Sequence, residues 1–178
     1  LNEYGDDSCT LSLYARCLEL SNNNQKAFHY YQKAYEKIKK VIEPDCDCAY
    51  GYYAYAKISG IGTDVEIDEA KNIILSVINK SGKYTCSHIV YFYAYFYLLN
   101  DERFSGEFAK EMLEENYPFY RYEISRIVLL SQVINKLKIK SNKLDELLLD
   151  MDEYDKNEIK YYNENIYQKA SLPYWKNI

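Results

Sequence analysis

An aromatic–alanine pair recurs along the chain at a nearly constant interval. Successive pairs lie 39 and 40 residues apart, at Tyr14-Ala15, Tyr53-Ala54 and Tyr93-Ala94. Each pair is followed by a second alanine, and these alanines lie 43 and 39 residues from one another, at Ala27, Ala70 and Ala109. Repeats of this length are typical of helical hairpins that stack into an α-solenoid, because one hairpin alone cannot bury its apolar face. The small residues would let two helices approach closely.

Turn residues between the helical segments divide the chain into hairpins. In the second hairpin, Gly60 and Gly62 supply the positive φ angles that a helix end and a tight reversal need. The helix after this turn has apolar residues at i, i+3, i+4, i+7 and i+8, at Ala70, Ile73, Ile74, Val77 and Ile78. We expect Asp64 or Asp68 to cap that helix, and the second helix of the first hairpin to run over 25–42.

We therefore expect a single all-α domain over 1–178. Its three hairpins span 9–42, 47–80 and 85–116. An additional helix and C-terminal capping helices occupy 119–178, because the end of a solenoid requires a helix with a polar outer face. An irregular helical bundle is the alternative arrangement.

The second hairpin resembles the Sel1-like repeat family, longer relatives of the tetratricopeptide repeat. Ala54 stands where the family usually has a glycine, Gly60 and Gly62 match its turn, and Ala70 matches the alanine of its second helix. In the first hairpin the second half of the pattern is matched by Lys26-Ala27, Tyr30 and Ala34.

The first and third hairpins depart from this pattern at their turns. The first has Asn22 to Asn24 in place of glycines, and the third has Asn100 and Asp101. The resemblance implies a right-handed superhelix whose first helices line a concave groove for protein partners. It implies no catalysis.

Charge and composition disfavour several classes of function. The 22 basic and 27 acidic residues give a net charge of −5, which argues against nucleic acid and against a cationic membrane-binding face. No apolar run approaches the roughly 20 residues that cross a bilayer. Five cysteines, an odd number outside any small disulfide scaffold, favour a reducing compartment, and we expect a cytoplasmic protein.

Catalytic motifs are missing from the sequence. It has no G-x-x-x-x-G-K, H-E-x-x-H or G-x-S-x-G motif. His29 has no carboxylate and nucleophile at a spacing that would make it a general base. We expect no enzyme activity, no catalytic residue and no cofactor.

Tyrosine is the residue that suggests a function, since the chain contains 22 of them. Helix residues two apart point about 200° apart, so the tyrosines of one first helix cannot all be buried together. Counted from the small residue, Tyr53 and Tyr93 lie at the helix contact. The partner-binding candidates that would reach the groove are Tyr52, Tyr55, Tyr91 and Tyr95. The alternative is that most tyrosines fill the core.

Cysteine and histidine also follow the repeat. Cys9, Cys48 and His88 precede successive tyrosine–alanine pairs at similar offsets, and Cys46 and Cys86 lie beside them. Equivalent positions of adjacent repeats are neighbours in space, so Cys46, Cys48, Cys86 and His88 could form a tetrahedral Cys3His zinc site. We expect small helix-start residues without a metal here, and keep a zinc-binding or redox-sensitive protein as the alternative function.

The expected function is binding of a protein partner, which could be a peptide, a helix or a small toxin domain. Two uses remain open: an adaptor or scaffold, and an antagonist such as a bacterial toxin immunity protein. A small acidic chain suits the second use because it can steer onto a basic partner.

Overall fold

The computed structural model describes residues 7–41, 47–82, 85–115 and 123–149, together with 153, 156, 157 and 160. Regular structure within these residues is helical throughout, which confirms the all-α prediction. Eight helices are described, in the order α1 (Ser8–Leu20), α2 (Asn24–Ile38), α3 (Cys48–Ser59), α4 (Ile67–Ser81), α5 (Ser87–Leu98), α6 (Gly106–Glu115), α7 (Glu123–Leu137) and α8 (Asn142–Leu149).

The chain divides into two compact units, Leu1–Ile89 and Val90–Ile178. In the first unit α1 packs on α2, α2 on α3, and α3 on α4, and α3 also contacts α1. The repeat alanines of this unit, Ala15, Ala27, Ala54 and Ala70, are all completely buried. Helix α3 therefore has neighbours on several sides, and its small residues lie where those neighbours come close.

The ends of the helices follow local signals in part. Asp7 caps α1 by accepting hydrogen bonds of 2.9 Å from the backbone N–H groups of Cys9 and Thr10. Gly60 ends α3 in the left-handed conformation, with φ of 64°. Gly62, with φ of 63°, brings the turn so close to the backbone of Asn24 that a side chain at this position would collide with it.

Two predicted helix ends are wrong. Helix α4 begins at Ile67 with Glu66 at the N-cap position, so neither Asp64 nor Asp68 is the cap; Asp68 lies in the first turn, where the helix dipole favours a negative charge. Helix α2 ends at Ile38 rather than near residue 42. Beyond Ile38 the backbone forms a tighter turn with a hydrogen bond between residues three apart, from the N–H of Val41 to the carbonyl of Ile38.

In the second unit α6 packs on α7 and α7 on α8. The core here contains both aliphatic and aromatic side chains, among them Phe92, Phe96, Phe104, Ala109, Met112, Leu113, Ile127, Leu130 and Val133. Arg126 is buried and donates to the carbonyl oxygens of Leu113 and Glu114, the latter at 2.7 Å. These carbonyls end α6 and have no partner within the helix, so Arg126 ties α7 to the end of α6.

Hydrogen bonds at a separation of 38 or 39 residues recur within each unit. In the first unit they join Arg16 to Tyr55, Lys80 to the carbonyl of Val41, and Thr85 to Asp47. In the second unit Lys136 donates to the carbonyl of Tyr97. At these positions, residues that lie about one repeat apart in the sequence are therefore hydrogen-bonded neighbours.

Candidate metal centre

Two cysteines and a histidine meet at the start of α3 and the start of α5. Cys48 is the first residue of α3, Cys86 immediately precedes α5, and His88 is its second residue. One ligand atom of each residue, two sulfurs and a ring nitrogen, lies within 4.8 Å of the other two. All three belong to the first unit and are half-buried.

Asp47 and Thr85 hold these two helix starts together beside the cysteines. The hydroxyl of Thr85 donates to the carboxylate of Asp47 at 3.0 Å, and Asp47 is buried. Asp47 and Thr85 are each followed directly by one of the cysteines. The 38-residue step that pairs the first two residues thus also brings Cys48 next to Cys86.

Gly51 makes room for the histidine. A Cβ atom at this position would lie 2.6 Å from the Cβ of His88 and 3.6 Å from the Sγ of Cys86. Any larger residue would push α5 or its side chains away from α3. This role of Gly51 was not predicted from the sequence, although a glycine inside a helix indicates close packing, because glycine weakens the helix and needs a compensating reason to be there.

Aromatic contacts and burial keep the imidazole of His88 in place. The ring of Tyr52 lies 4.5 Å from it, and the same tyrosine stacks on Tyr31 with a ring distance of 5.8 Å. Burial, with a smaller contribution from the positive charge of Arg16, lowers the pKa of His88 to about 4. His88 is therefore neutral at pH 7, and neutral imidazole is the form that binds metal ions.

The carboxylate of Glu19 contacts Tyr31, the tyrosine that stacks on Tyr52, and is the centre of a hydrogen-bond network. Glu19 of α1 accepts hydrogen bonds from the hydroxyls of Tyr31 at 2.8 Å and Tyr55 at 2.9 Å, and from the guanidinium of Arg16 at 2.5 Å. Burial, and then the negative charge of Glu19, raises the pKa of Tyr55 to about 12. The network joins α1, α2 and α3 and leaves both hydroxyls protonated at neutral pH.

Two sulfurs and one imidazole nitrogen form a donor set that suits a borderline-soft metal ion. Zinc prefers thiolate and imidazole ligands, whereas magnesium and calcium prefer oxygen. Cys48 also lies at the positive end of the α3 dipole, which favours a negative charge. Cys46, the fourth ligand considered from the sequence, lies outside the described residues. Cys9 is half-buried and does not belong to the group.

The structure separates the four predicted partner-binding tyrosines into two pairs. Tyr52 and Tyr95 are partly exposed, but Tyr55 and Tyr91 are only 2% and 4% exposed. The expectation that Tyr55 and Tyr91 reach an open groove is therefore wrong. Helix α3 is covered by α1, α2 and α4, and α5 is buried on most sides, so neither helix has the wide exposed face that was assumed. Tyr53 and Tyr93 are buried, as predicted.

A shallow hollow of about 530 Å³ lies on another part of the first unit. Its lining is polar and consists of Asn24, Gln25, Gly60, Gly62, Thr63 and Asp64. Asp64 is the only titratable side chain among these residues. A single carboxylate provides neither a nucleophile with its base nor a set of metal ligands.

In the described part of the chain, no helix combines the length and the apolar character that crossing a bilayer requires. Comparisons with protein-family models, with curated proteins and with solved structures each returned no match for this chain.

Proposed function

We propose that the chain is a protein-binding α-solenoid, similar to Sel1-like and tetratricopeptide repeats, with a right-handed superhelical arrangement and C-terminal capping helices. The observation that carries this proposal is the series of hydrogen bonds at 38 and 39 residues, which is close to the interval of 39 and 40 residues between the tyrosine–alanine pairs. A stack of similar hairpins produces such contacts because each repeat touches equivalent positions of the next one.

Complete burial of the repeat alanines supports the same proposal. All six of them, in first and second helices alike, have no exposed surface, including Ala94 and Ala109 of the second unit. In a solenoid the small residue marks the closest approach of two helices. An irregular bundle has no reason to bury the same small residue at each interval.

The partner-binding residues proposed here are Tyr52 in the first unit and Tyr95 in the second, the two candidates that keep exposed area. Tyrosine suits such a surface because its ring contributes apolar area and its hydroxyl stays hydrated. The partner is a protein segment, which could be a peptide, a helix or a small toxin domain. Nucleic acid and membrane surfaces fit poorly with a net charge of −5.

We propose two uses for this surface in the cytoplasm: that of an adaptor or scaffold, and that of an antagonist such as a bacterial toxin immunity protein. The acidic charge supports the antagonist use, since it would accelerate association with a basic partner. An association rate that falls steeply with salt would favour the antagonist. A rate that hardly changes would favour the adaptor.

The test is partner capture by the full chain and by single variants. Tyr95→Ala and Tyr52→Ala should each weaken capture at least tenfold while circular dichroism shows unchanged helical content. Tyr30→Ala is the matched control, because Tyr30 is also partly exposed but lies on α2, a second helix. Equal capture by folded Tyr95→Ala and Tyr52→Ala proteins would contradict this surface.

A further inference from the structure

We propose that Cys48, Cys86 and His88 bind one zinc ion through three protein ligands. These side chains lie at the starts of α3 and α5, and the site is independent of the proposed partner binding. Nothing in the repeat pattern requires a sulfur or an imidazole at these positions. The fold brings these positions within 4.8 Å of one another, but it does not account for two sulfurs and an imidazole there.

The distances match what a zinc ion needs after a small adjustment. Zinc–sulfur bonds of about 2.3 Å at tetrahedral angles place two sulfurs about 3.8 Å apart. Because the three ligand atoms of the cluster lie within 4.8 Å of one another, they need to close by about 1 Å at most. A change of this size is within reach of side-chain rotation while the backbones of the two helices stay in place.

Charge also balances at the site. Binding converts the two thiols to thiolates, releases two protons, and leaves a neutral assembly of Zn²⁺, two thiolates and one imidazole. Neutrality matters here because the site is half-buried and lies within the field of the Arg16 guanidinium. A dication held only by neutral ligands, such as imidazole nitrogens and carbonyl oxygens, would keep its charge in this position.

Residues next to the three ligands hold the ligand side chains in position. Gly51 removes the side chain that would collide with His88, and Tyr52 packs against the imidazole ring. The Thr85–Asp47 hydrogen bond joins the two residues that directly precede Cys48 and Cys86. Neighbours that orient the ligands in this way raise metal affinity.

A zinc ion at this position would join the first helices of two successive hairpins. The three ligands leave a fourth tetrahedral position, which water can occupy. Zinc would then hold the start of α3 to the start of α5, and its binding should stabilise the first unit because the unfolded chain holds no preformed site.

The experiment uses the full chain, purified under reducing conditions and treated with a chelator. Titration with zinc chloride should give one bound ion per chain and a higher melting temperature. Cobalt chloride in place of zinc should give the near-ultraviolet thiolate-to-cobalt charge-transfer band and the visible bands of a tetrahedral site. An absence of these bands, or zinc binding well below one ion per chain, would overturn the proposal.

Single substitutions identify the ligands, with matched controls from the same chain. Cys48→Ser, Cys86→Ser and His88→Gln should each lower zinc affinity at least a hundredfold. Cys17→Ser and His29→Gln should leave the affinity unchanged, because both residues are exposed on other helices. Equal losses in the control variants would show nonspecific binding and overturn the site.

Two further outcomes would also overturn the three-ligand site. Cys46→Ser should retain zinc affinity, and a hundredfold loss in this variant would replace the proposed donor set by the Cys3His set. Mass spectrometry of the chelator-treated reduced protein should find thiols at Cys48 and Cys86. A disulfide between them that resists reductant would exclude zinc binding there. Circular dichroism of each variant separates loss of a ligand from loss of folding.

Discussion

Replacing Glu19 with methionine should destabilise the first unit by about 3 kcal/mol. Methionine keeps the length of the side chain but removes the acceptor for the hydroxyls of Tyr31 and Tyr55, which are 0% and 2% exposed. A buried hydroxyl that loses its acceptor costs roughly 1–3 kcal/mol, so two of them cost about 4 kcal/mol. Glu19 is also next to last in α1, where the helix dipole disfavours a carboxylate by roughly 0.3–1 kcal/mol, and relief of this cost reduces the net loss.

The measurement is urea unfolding followed by circular dichroism in the presence of a chelator, compared with wild type. Glu36→Met is the matched control, because Glu36 is exposed and pairs only weakly with Lys39 at 3.4 Å; its effect should stay within about 0.5 kcal/mol. Adding Tyr31→Phe and Tyr55→Phe to Glu19→Met should restore part of the loss, because the two hydroxyl donors are then removed with their acceptor while Arg16 still lacks the carboxylate of Glu19. A loss below about 1 kcal/mol, or a triple variant no more stable than the single one, would refute the reasoning.

Two further predictions concern α3 and its neighbours. Gly51→Ala should lower the free energy of unfolding by about 1 kcal/mol in metal-free urea unfolding, because overpacking against His88 at 2.6 Å outweighs the roughly 0.5–1 kcal/mol that alanine gains in a helix; equal or higher stability would contradict it. Tyr55, whose pKa rises to about 12 through burial and the charge of Glu19, makes folding sensitive to alkali. Its contribution is complete below the unfolded pKa of about 10 and is lost as pH rises through 12, because the unfolded chain gives up this proton first, and the loss at pH 12 is about 2 kcal/mol. Tyr55→Phe should therefore lose less stability than wild type between pH 10 and pH 12 in urea unfolding, and equal losses would contradict the assignment.

Local patterns predicted the helices well because the signals for them are local. Gly60 ends α3 and Gly62 lies in the following turn, both with the positive φ that was expected of them. Both outcomes depend on a few neighbouring backbone groups. The burial of the repeat alanines could also be predicted, since an alanine that recurs at each interval has a packing role only if helices meet there.

The tyrosines were less predictable because the number of helices around each one decides its burial. Tyrosine is stable both in a core and on a wet surface, so its identity does not distinguish the two. Tyr52 stays partly exposed, whereas Tyr55, three residues further along the same helix, reaches Glu19 on α1. A single helix can bury most of its circumference when neighbours pack on several sides, as α3 does.

The sequence by itself determined an all-α chain, the interval of its repeat and the small residues at which helices meet, because these follow from hydrogen bonding and sterics within one or two turns. It also aligned Cys46 with Cys86 and Cys48 with His88, but alignment gives no distance. Only the tertiary structure decided that Cys48, Cys86 and His88 converge within 4.8 Å and that Glu19 receives two buried hydroxyls. Both results depend on how helices far apart in sequence pack against one another, and the periodicity of a single helix carries no information about its neighbours.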